Sequence, residues 1–278
     1  MNMLTFDVVI PIKNRATLQQ CVESLNQATV NLPLHQILTC DGGSQQLECL
    51  QQMQNIQQYE WVQRLDRPHE GFNKGWLINQ GILASTADII LISDVDIIWN
   101  EVAVSALVNA VSNREKQIAC VRSVVESVAQ NVALTRSRYA YRINPSPFQL
   151  EIYHDFSQPL ERPGCGLLCA RRSQLLELGG YREDFQGWGW EDQDLLIRAQ
   201  LLGDSIQTCG EVIHLSHDDR QRNAYSPNES PQQSRDRNIQ KCLARLVIGH
   251  FWGDLIGEVM PRLNPIEIVY PPELGNEQ

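Results

Sequence analysis

The chain has 278 residues, of which 42% are hydrophobic, and a formal net charge of −10 at pH 7. This composition supports a sizeable core and excludes disorder as the default state. The acidic balance gives no support to nucleic-acid binding, because proteins that bind nucleic acids present a basic face. We expect no signal peptide and no transmembrane helix, since the apolar runs are far shorter than the roughly 20 residues that span a bilayer.

The eight cysteines lie mostly within apolar patterns, and none of them forms a CxxC pair. This pattern predicts reduced thiols in the core of a cytosolic protein. Cys165 and Cys169 fall in one predicted strand, where four residues separate the side chains by about 13 Å. We therefore expect neither a disulfide nor a metal site between them.

Strand and helix patterns alternate through the first hundred residues. Near-continuous apolar runs predict four strands, at residues 6–12, 36–40, 61–65 and 88–92. Apolar residues at helical spacing predict three helices between them, one that begins at Asn14 as its N-cap and two over 47–53 and 72–83. The alternation favours an α/β fold with a parallel sheet and right-handed crossovers.

The fourth predicted strand ends in Ser93-Asp94-Val95-Asp96. Two carboxylates at a strand end can converge on one point, and hard oxygen ligands suit Mg²⁺ or Mn²⁺, which bind diphosphates. The alternative is a strand-ending turn with two solvated acids. Asn14 and Asp41 also follow strands, so a parallel sheet brings all four residues to the edge where ligands gather. Neither a GxGxxG loop nor a P-loop is present.

The next elements are less regular. Asn100 is expected to cap a helix over 102–111, and a strand follows at 118–121. From residue 123 to 163 the pattern weakens and Pro145 and Pro147 interrupt it, so this segment is either a connecting subdomain or a mobile acceptor-side segment. A strand at 164–170 and a helix at 172–178 restore the order.

Residues 185–194, with the sequence FQGWGWEDQD, are acidic and rich in tryptophan, and they lead into the next predicted helix. Gly203 ends that helix. Acids in a first turn stabilise the helix dipole, and that is the alternative to a functional role. Three acids beside two tryptophans and two glycines exceed what capping needs. Glycines allow a loop to move, and exposed tryptophan faces stack on sugar rings, so we expect a substrate site here.

Two histidines, His214 and His217, stand three residues apart at the exit of a further predicted strand. Two histidines at this spacing are candidate metal ligands, whereas a lone histidine is more often structural. Residues 220–237 are predicted to form an exposed loop. An amphipathic helix over 239–251 is expected to pack on the core, with a dimer contact or a membrane surface as alternatives, and the tail at 271–278 to fray.

Together these motifs resemble known glycosyltransferases. VVIPIKNR, CDGGS and SDVD are similar to GT-A enzymes of family 2, and GWGWEDQD followed by HLSHDD resembles the carboxyl half of the β-1,4-galactosyltransferase group, family 7. Polypeptide N-acetylgalactosaminyltransferases and bacterial chondroitin-type polymerases share parts of this pattern. The resemblance covers about residues 6–218. It implies a single-domain GT-A fold, with a mixed, mostly parallel central sheet flanked by helices.

The resemblance also implies a division of the chain. Residues 1–122 match the nucleotide-sugar-binding half, 123–163 a connecting or acceptor-side segment, and 164–218 the acceptor and catalytic half. Residues 219–278 then form a loop, a helix and a tail.

On the donor side the resemblance implies roles for matching residues. Pro11 and Asn14 match the lining of the uridine pocket, and Asp41 matches the acid that contacts uracil or ribose. Asp94 and Asp96 match the DxD motif, which implies donor binding by Asp94 and metal binding by both. His217, with His214, matches the further ligands of Mn²⁺ or Mg²⁺.

On the acceptor side, Asp192 matches the catalytic base, and Trp188 and Glu191 match positions that contact the acceptor. The chain departs from the galactosyltransferase pattern GWGGEDDD at Trp190, which replaces a glycine, and at Gln193, which replaces an acid. These departures concern the identity of the acceptor and the flexibility of the loop.

The expected function is therefore metal-dependent, inverting transfer of a Gal- or GalNAc-type sugar from a UDP-sugar to a glycan or glycolipid hydroxyl. The expected setting is the cytoplasm, with peripheral contact to the inner face of the membrane left open. Three alternatives remain at this point: a retaining GalNAc-type transferase, a nucleotidyltransferase, and a non-catalytic carbohydrate-binding protein. The last of these is disfavoured because Asp94, Asp96, Asp192 and His217 are all intact.

Overall fold

A computed structural model describes residues 4–56, 62–66, 71–128, 138–145, 148–155, 161–217, 228–256, 263 and 266–274. The strands are β1 (Phe6–Ile12), β2 (Leu34–Asp41), β3 (Val62–Asp66), β4 (Ile89–Ile92), β5 (Ile97–Ile98), β6 (Gln117–Glu126), β7 (Arg138–Pro145), β8 (Phe148–Asp155), β9 (Glu161–Arg171), β10 (Ser205–His214) and β11 (Glu267–Val269). The helices are α1 (Leu18–Ala28), α2 (Leu47–Ile56), α3 (Lys74–Ala84), α4 (Glu101–Ser112), α5 (Arg172–Glu177), α6 (Glu191–Leu201) and α7 (Pro231–Val247).

Within the described ranges, eight strands form one mixed sheet in the order β3-β2-β1-β4-β9-β6-β10-β5. Strands β1 to β4 are parallel to one another, and β10 is parallel to β6. Strand β9 runs antiparallel between β4 and β6. The expected α/β class, with a mixed and mostly parallel central sheet flanked by helices, is confirmed.

Helices cover both faces of this sheet, which explains why its central strands are continuous apolar runs. Successive side chains of β1 alternate between the two faces: Val8 and Ile10 pack with α1, α2 and α4, whereas Val9 packs with α3 and α6. All four residues of β4 are fully buried. The sheet is therefore a rigid layer whose carboxyl edge carries the polar residues that follow each strand.

The segment 123–163 is more regular than its sequence predicts. Strand β6 continues to Glu126, and β7 and β8 form an antiparallel hairpin to which β11 adds a parallel third strand. Pro145 ends β7 at the hairpin turn, because proline cannot donate a ladder hydrogen bond. Pro147 lies outside the described residues.

Helix α7 differs from its prediction in both boundaries. The sequence predicted a loop to 237 and a helix over 239–251, but α7 begins at Pro231 and ends before Gly249, whose φ is 74°. A capping box of Ser230 and Gln233 starts the helix earlier. The helix packs on the core, as expected, in a cluster with β8 and the residues around α6.

The N-cap prediction for Asn14 is wrong. Helix α1 begins four residues later, at Leu18, and Asn14 has a left-handed φ of 51°. Its Oδ1 accepts from the backbone N–H groups of Gln45 and Gln46, just before α2. Asn14 therefore fixes the entrance to α2 rather than that of α1.

Two expectations concerning the whole chain can be compared with the structure. All eight cysteines are free thiols, which confirms the absence of disulfides. Among the helices that the structure describes, none is both long enough and apolar enough to cross a lipid bilayer.

Candidate functional site

A pocket opens at the carboxyl edge of the main sheet, where β1, β4 and β10 end. Its lining residues come from these strand ends, from the start of β9, from the start of α3 and from the start of α6, with the loops before the two helices. They are Pro11, Ile12, Lys13, Arg15, Phe72, Lys74, Asp94, Val95, Asp96, Arg162, Gly187, Trp188, Glu191, His214 and His217. Seven of the residues singled out from the sequence are in this list. Of the four polar residues predicted to converge from strand ends, Asp94 and Asp96 line the pocket, whereas Asn14 and Asp41 do not.

At one side of the pocket, Asp96, His214 and His217 form a group of candidate metal ligands. One ligand atom from each residue lies within 4.8 Å of the others. The Oδ2 of Asp96 is 3.1 Å from Nε2 of His217 and 3.5 Å from Nε2 of His214. Strand β5 explains this convergence, because its antiparallel pairing with β10 sets Ile97 opposite His214 and so brings Asp96 alongside.

Burial and hydrogen bonds shift the pKa values of Asp96, His214 and the neighbouring Glu126. Burial opposes ionisation of Asp96, but the two imidazoles outweigh that effect and hold its pKa well below the usual range. Burial also lowers the pKa of His214, yet hydrogen bonds to Asp96 and Glu126 raise it to about 9. Burial likewise raises the pKa of Glu126, and its hydrogen bond with His214 lowers it to about 2. The positive charge that His214 carries below its raised pKa balances the carboxylates of Asp96 and Glu126.

The donor atoms fit a divalent transition metal. Two imidazole nitrogens and one carboxylate suit Mn²⁺ better than Mg²⁺, which prefers oxygen ligands. The Nδ1 of His214 lies 2.7 Å from Oε2 of Glu126, so a proton on Nδ1 leaves the Nε2 lone pair directed at Asp96 and His217. A carboxylate behind a histidine ligand is the usual arrangement in metal sites.

Sequence reasoning did not identify Glu126. The predicted strand ended at residue 121, whereas β6 continues to 126 in register with β10 and pairs Glu126 with His214. Val124 and Val125 extend the apolar run and are the signal that could have revealed the longer strand. The role of its last residue depends on a partner 88 residues away.

Lys74 joins the metal side of the pocket to the acids of α6. Its Nζ lies 2.9 Å from Oδ2 of Asp192, 3.0 Å from Oδ1 of Asp94 and 3.9 Å from Oε1 of Glu191. Burial alone would lower the pKa of Lys74, but the three carboxylates raise it well above its ordinary value. Lys74 therefore stays charged, and sequence reasoning missed it because it begins a helix predicted only from apolar spacing.

Asp94 does not join the metal-ligand group in this structure. Its carboxylate pairs with Lys74 instead, and its side chain is 35% exposed. The sequence-derived prediction that Asp94 is a metal ligand therefore has no geometric support here, although Asp94 still lines the pocket.

Asp192 lies in the first turn of α6, almost entirely buried behind the pocket wall. Its Oδ2 accepts from Lys74, and its Oδ1 accepts from the hydroxyl of Tyr181 at 3.2 Å. Gly166 of β9 makes this position possible, because a Cβ there would overlap the Asp192 carboxylate and crowd Lys74. Three elements, α3, α6 and β9, thus fix one carboxylate.

Among the carboxylates that line the pocket, Glu191 has a pKa raised towards neutrality. Burial and the neighbouring charge of Asp192 raise its pKa to about 7, against the opposing charge of Lys74. Both protonation states of Glu191 are therefore populated near neutral pH. A group with this property can donate or accept a hydrogen bond to a substrate hydroxyl.

Two predicted donor residues, Asn14 and Asp41, are not among the residues that line the pocket. Asp41 is 1% exposed, and its Oδ1 accepts from the backbone N–H and the hydroxyl of Ser44. The same hydroxyl accepts from the backbone N–H of Asn14. Both residues therefore shape the loops after β1 and β2, while Lys13 and Arg15, which the sequence analysis did not select, line the pocket.

Two family models match overlapping parts of the chain. The model described as glycosyl transferase family 2 matches residues 7–174. The model described as the N-terminal domain of galactosyltransferase matches residues 149–218. The two ranges together contain every pocket residue named above.

Among curated proteins, the chain is 30% identical over 168 residues to human chondroitin sulfate N-acetylgalactosaminyltransferase 2, a match that covers 58% of this chain and 29% of that protein. It is 40% identical over 52 residues to probable N-acetylgalactosaminyltransferase 9 of Caenorhabditis elegans, covering 18% and 9%. The matched regions thus span less than a third of these relatives.

Solved structures share the fold at low identity. The structure of GalNAc-T7 with UDP, GalNAc and Mn²⁺ superposes with a TM-score of 0.63 and 17% identity, covering 90% of this chain and 49% of that one. The mannosyltransferase PcManGT of Pyrobaculum calidifontis, with GDP-Man and Mn²⁺, gives 0.57 and 15%, covering 87% and 64%. Both likenesses identify the GT-A fold. Because the first family model matches more than half of the sequence, this chain belongs to glycosyl transferase family 2.

Proposed function

We propose that this protein is a metal-dependent, inverting glycosyltransferase. It transfers a Gal- or GalNAc-type sugar from a UDP-sugar to a hydroxyl of a glycan or glycolipid acceptor. The observation that carries the proposal is one pocket with a metal-ligand group on one side, an acidic helix start on the other, and Lys74 between them. Names of the relatives support a GalNAc-type sugar, since both are N-acetylgalactosaminyltransferases.

The metal would be held by Asp96, His214 and His217, with Mn²⁺ favoured over Mg²⁺ because two ligands are nitrogens. When bound, such a cation supplies positive charge that stabilises a diphosphate leaving group. The Mn²⁺ and UDP in the GalNAc-T7 structure support this assignment.

The donor would lie along the carboxyl ends of β1 and β4. Pro11 and Asp94 line the pocket there, together with the cationic side chains of Lys13 and Arg15, which suit the negative charge of a nucleotide diphosphate. Asn14 and Asp41 act on the nucleotide through the loops that they hold. In this proposal, residues 1–122 supply the donor half and 164–218 the acceptor and catalytic half.

Asp192 would act as the base that removes the proton of the acceptor hydroxyl during attack on the anomeric carbon. Inversion needs a base but no covalent intermediate, so one carboxylate is sufficient. Lys74 and Tyr181 restrict the carboxylate to one orientation, and each oxygen keeps a further lone pair for the acceptor proton. The acceptor hydroxyl must come within about 3 Å of it, directly or through one water.

Trp188 and Glu191 would bind the acceptor sugar. The indole of Trp188 offers an apolar face for a sugar ring at the pocket wall. Glu191, with its pKa of about 7, can hydrogen-bond a sugar hydroxyl in either protonation state. The identity of the acceptor then depends on the shape of this wall.

The test uses UDP-Gal and UDP-GalNAc with Mn²⁺, measuring donor hydrolysis alone and transfer to p-nitrophenyl β-glycosides. Asp192→Asn is expected to lose about 10²- to 10⁴-fold of the transfer rate, the usual contribution of a general base. Asp204→Asn is the matched control, because Asp204 precedes the opposite end of β10 and bonds to Gln174. Full transfer by Asp192→Asn would remove Asp192 as the base.

The product's anomeric configuration, read by NMR, tests inversion separately. An inverted anomer supports a base at Asp192, whereas a retained anomer identifies the retaining alternative. If neither sugar nucleotide is hydrolysed or bound with Mn²⁺ by calorimetry, the protein is the non-catalytic homologue.

A further inference from the structure

The loop over residues 185–190 is called here the acceptor loop. It contains two glycines, Gly187 and Gly189, and glycine-rich loops are usually free to move. Gly187 and Gly189 have left-handed φ angles of 74° and 97°, and Trp190 has a φ of 78°. A tryptophan in this region is strained unless its surroundings hold it there. The contacts that hold the acceptor loop come from α7.

The Trp190 side chain supplies the first part of the answer. It is 2% exposed and belongs to an apolar cluster with Ile239, Cys242 and Leu243 of α7. Burial of a large aromatic surface offsets the unfavourable backbone conformation. Trp190 thus anchors the carboxyl end of the acceptor loop to the middle of α7.

Hydrogen bonds from α7 hold the rest of the acceptor loop. Ser234 donates to the carbonyl of Gln186 at 3.0 Å and accepts from the backbone N–H of Trp188 at 2.8 Å. Asn238 donates to the carbonyl of Gln186 at 3.2 Å and to that of Gly189 at 2.8 Å. Both side chains are 1% exposed, so these bonds form away from competing water.

The positions of these two residues match the loop. Ser234 and Asn238 are four residues apart and therefore lie on one face of α7. Between them they bind backbone groups at three of the six loop residues, on both sides of Trp188. The bonds to Gln186 and Gly189 use backbone groups, so they fix the course of the chain rather than a side chain.

Neither family model includes Ser234 and Asn238, the pair of α7 residues called here the clamp. The matched ranges end at residues 174 and 218, and α7 begins at Pro231. The glycine that Trp190 replaces in the galactosyltransferase pattern could adopt its left-handed φ without strain. In this chain, packing and hydrogen bonds from α7 stabilise the same conformation instead.

We infer that Ser234 and Asn238 are positioning residues that hold the acceptor loop in a preformed state and keep Trp188 at the pocket wall. The site thereby takes a sugar ring without first ordering the loop, which lowers the entropic cost of acceptor binding. The inference rests on the acceptor role of Trp188 in the proposed function. It assigns to α7 a part in acceptor binding but none in donor chemistry.

The test compares Ser234→Ala with Ser234→Thr, which keeps the hydroxyl, and with Gln240→Ala. Gln240 is the matched control, because it lies on α7 and donates to the carbonyl of Leu274, away from the acceptor loop. Hydrogen–deuterium exchange is measured for peptides from the loop, from α6 and from β1. Kinetics use the UDP-sugar that the wild type hydrolyses, with p-nitrophenyl β-glycosides as acceptor probes.

Ser234→Ala loses two hydrogen bonds, one to the carbonyl of Gln186 and one from the backbone N–H of Trp188. At about 1 kcal/mol net for each bond, the acceptor loop is expected to exchange deuterium about five- to thirtyfold faster. The acceptor KM of Ser234→Ala should rise about as much, while donor hydrolysis without acceptor stays unchanged. Ser234→Thr should move both quantities back towards the wild-type values, and Gln240→Ala should change neither.

Unchanged loop exchange in Ser234→Ala overturns the inference. So does an increase shared equally by α6 and β1, which reports a loss of global stability, or an equal fall in hydrolysis and transfer. If the wild type itself neither hydrolyses nor transfers a sugar, the proposed function fails, and local loop exchange still decides whether the clamp exists.

Discussion

Replacement of Lys74 by methionine tests the charge arrangement of the pocket most directly. Methionine keeps the length and the apolar part of the side chain but removes the ammonium group. Three carboxylates, those of Asp94, Glu191 and Asp192, then lie close together without the cation that now contacts all of them. Because like charges disfavour joint ionisation, the variant retains protons on these acids to higher pH.

The geometry sets the size of the effect. At an effective dielectric constant of about 20, the Lys74–Asp192 contact at 2.9 Å is worth about 6 kcal/mol before the cost of desolvation. Removal of one partner from buried pairs costs about 3–5 kcal/mol. Lys74 is only 13% exposed, so solvent screening reduces this little. If this cost of about 3–5 kcal/mol is shared among the three acids, each carries about 1–2 kcal/mol. At 1.36 kcal/mol per pH unit, the acidic limb of the pH profile should therefore move upward by about one unit.

The assay is the pH profile of transfer, measured from pH 5 to 9 with the UDP-sugar that the wild type uses. The base must be ionised to accept a proton, so Lys74→Met should lose about tenfold of the activity on the acidic side and recover part of it at high pH. Lys74→Arg keeps the charge and should leave the limb in place. A Lys74→Met profile with an unmoved acidic limb would refute the charge argument.

The remaining predictions concern the metal group and the core. Glu126→Gln should weaken Mn²⁺ binding by about 10- to 100-fold in calorimetry, since it loses the carboxylate that orients His214; unchanged affinity would contradict this. Asp194→Asn should cost about 3–5 kcal/mol of unfolding free energy in urea, because fully buried Arg182 and Arg198 lose their charged partner. Asp184→Asn, at a side chain that is 38% exposed, should cost under about 1 kcal/mol. Burial raises the pKa of Asp194, but the two arginines lower it overall. Its contribution to stability is therefore present above its unfolded pKa of about 4 and is lost as the pH falls through the lower folded value. The wild type should accordingly lose more stability than Asp194→Asn between pH 5 and pH 3, and equal losses would refute the argument.

The sequence predicted part of the pocket lining, at positions where local pattern and sheet geometry act together, although the same argument failed to place Asn14 and Asp41 there. Asp94 and Asp96 follow a buried strand, and His214 ends another. Parallel strands present their carboxyl ends at one edge, so convergence follows from the fold class without knowledge of any contact. The same geometry does not predict which group Asp94 contacts, because its partner Lys74 is the first residue of α3.

The residues that the sequence did not reveal share a physical reason. Lys74 and Glu126 act through partners that lie 118 and 88 residues away along the chain. Neither residue breaks a local pattern: Lys74 is an ordinary polar residue in a first helical turn, and Glu126 is a polar end to an apolar strand. Their roles come from strand order and register, which single-sequence periodicity does not specify.

Trp190 shows how a departure from a family pattern can be read physically. Its φ of 78° explains why a glycine is the simpler choice at this position, before a helix whose first turn carries the acids. Tryptophan is tolerated here because α7 buries its side chain and binds the backbone on both sides of Trp188. In this chain, tertiary packing by α7 rather than the conformational freedom of a glycine therefore stabilises the conformation of the acceptor loop. Relatives with a large residue at this position should therefore carry a helix equivalent to α7, with small hydrogen-bonding side chains facing the loop.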